Sequence, residues 1–119
     1  QRALDKATDP GQWDTLMGGL VAANESRAGA LERETWEEAG LRIADLHALL
    51  PADRLTIRRP VSQGYMVEHI EVFEAVLPAT RVPSNQDGEV ERFECLAPAE
   101  FTLEAALMLA ASLRRRGFV

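Results

Sequence analysis

Cysteine is almost missing from this chain: only Cys95 occurs in 119 residues, so no internal disulfide can form. A reducing, cytoplasmic setting is therefore expected. Histidine is nearly as scarce. His47 and His69 lie far from each other and from Cys95, without the close spacing of a zinc site. Basic residues are outnumbered, 13 Lys+Arg against 19 Asp+Glu, for a formal net charge of -6. That balance argues against a nucleic-acid polymer as partner, since such binding depends on Lys and Arg neutralising phosphates. No run approaches the roughly 20 apolar residues of a membrane span. The opening QRALDKATDP also lacks the apolar stretch of a signal peptide. Repeats, low-complexity tracts and linker-like stretches are missing too, so a single domain over residues 1–119 is expected. What remains is ordinary globular material, 46% hydrophobic and 27% charged. Small phosphorylated molecules stay open as ligands if a metal cation mediates the contact.

The local patterns predict a turn-rich start, with Pro10-Gly11 as a breaker, and a short strand at 13–17 ending at Gly18-Gly19. Helix formers fill 26–39, with Asn24 or Ser26 as N-cap and Gly40 as the stop. Strands are expected at 41–50, 54–59 and 66–77, punctuated by Pro51, Pro60 and Gly64. A proline-containing loop at 78–88 leads to a strand at 90–96. Thr102 caps a final amphipathic helix over 102–116, with Leu103, Ala106, Leu107, Ala110 and Leu113 as its buried stripe. Together these elements predict an α+β or sandwich-like mixed fold.

The helix at 26–39 carries the chemistry. Glu34, Glu37 and Glu38 stand at i, i+3 and i+4, so their carboxylates share one face. Like charges at that spacing cost roughly 0.2–0.5 kcal/mol per pair in a bare helix. Arg33 lies about 100° round the helix and cannot neutralise all of them. A cluster of hard oxygen donors suits Mg²⁺ or Mn²⁺, ions that often bridge to substrate phosphates. Charge runs are more often plain solvated faces, and pattern alone leaves both readings open.

The full spacing separates them. Gly19, Glu25, Arg33-Glu34, Glu37-Glu38, Gly40 and Leu41 in GLVAANESRAGALERETWEEAGL resemble the Nudix box, GX5EX7REUXEEXGU with U aliphatic. A chance match per window is on the order of 10⁻⁸ at ordinary residue abundances. Thr35 departs from the first aliphatic position, which is expected to weaken the apolar anchor of the helix. The resemblance implies an α/β/α sandwich with a mixed central sheet and a loop–helix–loop presenting glutamates to a diphosphate. It implies Glu37 and Glu38 as metal ligands, Glu34 as a ligand or the base that activates water, and the Gly19 carbonyl in the metal shell. Arg33 is counted with the catalytic set but is expected, with Glu25, to form a salt bridge orienting the helix, and Gly40 to end it. Mg²⁺ or Mn²⁺ is the implied cofactor. The implied reaction is attack of activated water on phosphorus in a nucleoside diphosphate derivative or related organic diphosphate.

Nudix enzymes often add a carboxylate from outside the box. Glu89 is the first candidate here, then Glu91, with Glu68, Glu71 and Glu74 behind. No substrate-binding residue is assigned, although Tyr65, Phe73 and Arg58-Arg59 could approach a ligand. His47, His69, Trp13 and Trp36 are expected on strand faces or in packing, and Cys95 as a small buried residue. The flanks KATDPGQWDTLMGG, GYMVEHIEVFEAVLP, NQDGEVERF and FTLEAALMLAASLRRRGF are similar to Nudix domains associated with thiamine pyrophosphokinase. That likeness implies thiamine-diphosphate-like substrates as an alternative. Isopentenyl-diphosphate isomerases share the amino-terminal pattern, but need a cysteine ahead of the helix, where this chain has none. A silent ligand-binding module is a further alternative, weakened by the intact glutamates. The resemblance leaves a homodimer open. It also implies a strand ahead of QRAL and a loop near PAEFTLEAAL, so the sequence reads as a shortened domain. Residues 19–41 hold five Glu and two Arg, so -3 of the -6 charge sits in this one motif.

Overall fold

The computed structural model describes residues 1–95 and 101–117. In chain order it contains helix α1 (Arg27–Ala39), a 3-10 turn (Ile43–Asp45), strands β1 (His47–Val61) and β2 (Gly64–Val76), and helix α2 (Leu103–Arg115). Two helices and an antiparallel sheet make this an α+β architecture. Among the described residues, no helix is long and apolar enough to cross a membrane.

Helix α1 forms where its caps place it. The Ser26 hydroxyl accepts from the Gly29 N–H at 3.0 Å, so Ser26 is the N-cap, while Asn24 takes a φ of 68° in the loop before it. Gly40 ends the helix at φ 63°, its N–H donating to the Trp36 carbonyl and the N–H of Leu41 to that of Thr35. Thr35 takes the first aliphatic position of the motif inside the core. It is fully buried, and its hydroxyl donates to the Leu31 carbonyl one turn back, which satisfies the one polar atom the substitution introduces. Immediately beyond Gly40 the core closes. Ala39, Leu41 and Leu46 are buried together, flanked by Leu16, Met17, Ile43, Leu49, Leu77 and Phe93. The carboxyl end of α1 is thus its anchored end.

The strand expectations need correction. The segment 41–50 begins with the 3-10 turn, and β1 then runs unbroken through the expected gap at Pro51. Pro51 is tolerated because its strand lies on an edge and because the register with β2 shifts on both sides of it. β1 and β2 form one antiparallel hairpin turning between Val61 and Gly64. The strands expected at 13–17 and 90–96 reduce to isolated bridges, Trp13 with Phe101 (parallel) and Val90 with Arg2 (antiparallel). Leu96 and residues 98–100 of PAEFTLEAAL lie outside the described residues. Without a regular strand there, Cys95 is exposed rather than buried.

Helix α2 is rotated from its expected stripe. Ala105 is buried, whereas Leu103 and Leu107 are 49% and 39% exposed. The cap explains the rotation. Buried Thr102 accepts from the Ala105 N–H, donates its hydroxyl to Asp14, and donates its own N–H to the Trp13 carbonyl. These bonds fix the direction of the first turn, and with it the face that the leucines present. Arg59 of β1 meets Glu104 at 3.4 Å, and Arg115 and Arg116 reach Glu74 of β2.

Candidate active site

The loop ahead of α1 is organised by Arg33. Its Nε and Nη2 donate to the two oxygens of Glu25, both at 3.0 Å, and Nη2 also donates to the Leu20 carbonyl. Nη1 donates to Glu34 at 2.7 Å and to Glu37 at 2.9 Å. All the donors of the guanidinium fork are therefore in use. Hydrogen bonding by Arg33, then by the Ala22 N–H, holds the Glu25 carboxyl below its usual range, and the same carboxylates raise Arg33. The expected orienting salt bridge is present. Arg33 also reaches two of the three helix-face glutamates, and Glu38 is the one it leaves.

Glu38 occupies a different environment. One of its oxygens accepts from the Gly18 N–H at 2.9 Å. Burial, opposed by that bond and reinforced by Glu34, Asp87 and Glu89, pushes its pKa up to about 7. Beside it Glu34 lies against the backbone of Gly19, where a Cβ would overlap its carboxyl group. Only glycine fits at position 19 with Glu34 so placed. The glycine pair thus brings the 18–25 loop directly onto the glutamate face.

A second loop completes the site. The last carbonyls of α1 lack partners inside the helix, and residues 84–86 supply them. Ser84 N–H donates to the Ala39 carbonyl, Gln86 N–H to that of Glu37, and the Asn85 amide to that of Glu38. Asn85 and Asp87 then bend the chain back through bonds to each other and to the N–H groups of Gly88 and Glu89. Gly40 permits this approach, because a Cβ there would stand 2.5 Å from the Ser84 carbonyl. The docking carries Asp87 and Glu89 toward Glu38. Asp87 was missed by sequence reasoning, although the turn-forming SNQDG after an acidic helix end was its signal.

Glu89 is thus beside the glutamate face, its carboxylate paired with Lys6. Of the other outside candidates, Glu71 is engaged with Arg27 and Arg54, and Glu74 with Arg115 and Arg116. His69 meets Thr56 across the hairpin. Trp13 carries the Arg92 guanidinium over its ring at 5.1 Å, while Trp36 is half exposed rather than packed.

Among the described residues, no three acidic, histidine or cysteine side chains already converge as a closed metal cage. Glu34 and Glu37 turn to Arg33, and Glu89 turns to Lys6. The donor chemistry nevertheless fits a hard divalent cation. Glu38, the carboxylate that neither Arg33 nor Lys6 pairs, is partly buried among Glu34, Asp87 and Glu89, and its raised pKa marks an excess of negative charge there.

The NUDIX domain family model matches residues 1–116. Nudix hydrolase 20, chloroplastic, of Arabidopsis thaliana is 33% identical over 137 aligned positions, covering 100% of this chain and 34% of that protein. Nudix hydrolase 24, chloroplastic, of the same plant is 33% identical over 108 positions, 84% of this chain and 27% of its own length. The isopentenyl-diphosphate Delta-isomerase of Saccharopolyspora erythraea is 33% identical over 88 positions, 73% of this chain and 44% of the isomerase. The chain thus spans about a third of the length of the plant relatives or less. No solved structure matches it.

Proposed function

Because the chain belongs to the Nudix family, we propose that it is a pyrophosphohydrolase acting on a nucleoside diphosphate derivative or a related organic diphosphate. The observation that supports this most is the pairing pattern on α1, where among the described residues Glu38 has no cation partner while Arg33 holds Glu25, Glu34 and Glu37 in place. In this reading Glu37 and Glu38 hold Mg²⁺ or Mn²⁺, joined by Glu34, the Gly19 carbonyl and Glu89. When bound, such an ion offsets the charge of the diphosphate oxygens and lowers the pKa of water. Arg33 keeps the helix and its approach loop in register, and Gly18 holds one oxygen of Glu38 through its N–H. Glu34 is pressed against Gly19, and in this reading it serves as a ligand or as the base that takes the proton of the attacking water. The α/β/α sandwich with a mixed sheet belongs to the same proposal, with the Trp13–Phe101 and Arg2–Val90 bridges as the start of its further strands.

Likeness of the flanks to thiamine pyrophosphokinase-associated Nudix domains makes thiamine-diphosphate-like compounds the first substrates to try. Similarity to the isomerase raises proton transfer as a second reading. The lone cysteine lies beyond β2 and is exposed, not ahead of α1, which favours hydrolysis. The test is phosphate release from a panel of organic diphosphates with Mg²⁺ or Mn²⁺, against the same panel with chelator. Cation-dependent release is expected; no release from any substrate would overturn the reading.

A further inference from the structure

Beside Glu89 lies an open cleft of about 450 Å³ whose lining includes Arg2, Lys6, Thr8, Asp87 and Glu89. Backbone bonds hold its two walls together: Ala3 N–H donates to the Glu89 carbonyl, and Glu91 N–H to that of Gln1. The two cations of the cleft differ in freedom. Arg2 is committed, with Nε donating to the Thr8 carbonyl at 3.1 Å and Nη1 to Asp14 at 3.0 Å. Lys6 is tied through its ammonium to a single carboxylate, Glu89. An ammonium on a flexible stem changes partner at low cost, unlike a guanidinium locked in a fork.

We propose that Lys6 is an exchangeable counter-ion, neutralising Glu89 in the free protein and turning to a substrate phosphate oxygen once a divalent cation takes Glu89. The proposal rests on the metal-site reading above and adds a coupling between cation and anion binding. Its logic is electrostatic. Glu89 adds negative charge to the surroundings of Glu38, and a nearby ammonium offsets that charge until a stronger cation arrives. Lys6 then faces a cleft whose other cation is already paired, so an incoming anion meets it first.

This exchange has two signatures of opposite sign. Removing the ammonium takes away a competitor for the divalent ion, and also takes away a holder of the anion. A purely structural ion pair produces neither effect, and a plain phosphate-binding lysine produces only the second. The test uses Lys6→Met and Lys6→Arg, with circular dichroism to confirm folding. Mn²⁺ is titrated calorimetrically into the protein without substrate, then non-hydrolysable imidodiphosphate into the Mn²⁺-loaded protein. Lys6→Met is expected to bind Mn²⁺ about three- to fivefold more tightly, the range of one exposed ion pair. It is expected to bind imidodiphosphate about tenfold more weakly. Lys6→Arg keeps the charge but pairs through a rigid fork, so it is expected to bind Mn²⁺ no more tightly than the unaltered protein. Mn²⁺ affinity unchanged or weakened in Lys6→Met would overturn the exchange alone. Absence of Mn²⁺ binding by the unaltered protein would instead overturn the metal-site reading and the exchange with it.

Discussion

Glu38 shows at the residue scale how a site can be assembled against local stability. A carboxyl that titrates near 7 when folded, against an ordinary value of 4.5, keeps its proton better in the folded state. Its contribution to stability is therefore fully present below 4.5 and is lost as pH rises through about 7. In cation-free protein, Glu38→Gln is expected to be neutral or stabilising. Its melting temperature minus that of the unaltered protein should grow from about pH 5 to about pH 8. Thermal melts across that range check it. A loss above about 1 kcal/mol in Glu38→Gln would mean that the carboxylate is structural. Gly19→Ala makes a complementary case. The added methyl would push on the Glu34 carboxyl, so hydrolysis should fall at least about tenfold with little change in folding, read by kinetics beside circular dichroism.

At the scale of elements, the two loops meet because α1 ends at Gly40. The left-handed turn at φ 63° and the close Ser84 carbonyl both exclude a side chain there. Gly40→Ala is expected to cost about 1–3 kcal/mol, lowering the denaturant midpoint and reducing activity by loosening Asp87 and Glu89 from the glutamate face. An unchanged midpoint would show that the second loop docks without this turn. The limits of sequence reading also appear at this scale. Ser26, Gly40 and Thr102 were legible as caps because capping is a local hydrogen-bond rule. The glutamate face and the Arg33–Glu25 link followed from spacing and resemblance. The docking of Ser84, Asn85 and Gln86 onto the carbonyls of α1 joins segments about fifty positions apart, and no local pattern encodes the pairing. Pro51 was misread for a similar reason, since a proline breaks a central strand but not an edge strand that shifts register around it. The rotation of α2 was hidden because Asp14 and Trp13, its anchors, lie at the other end of the chain.

For the molecule as a whole, the acidity acquires a location. A net charge of -6 spread over a surface would only favour solubility. Here part of it is gathered round Glu38, which feels the charges of Glu34, Asp87 and Glu89, with Arg33 and Lys6 as the nearby cations. Filling that region with a divalent ion should stabilise the entire fold by mass action. At 100 times the dissociation constant the gain is about 2.7 kcal/mol. Melting temperature should therefore rise with Mg²⁺ or Mn²⁺ and fall back on chelation, and a cation-independent melt would deny a native-state site. If Glu38 helps hold the divalent ion on which diphosphate hydrolysis depends, removing its charge must remove turnover. The most direct test is the turnover of Glu38→Gln, beside the unaltered protein, on the best diphosphate at saturating Mg²⁺. A loss of at least about 100-fold in kcat with the fold intact is expected. Turnover equal to that of the unaltered protein would contradict it.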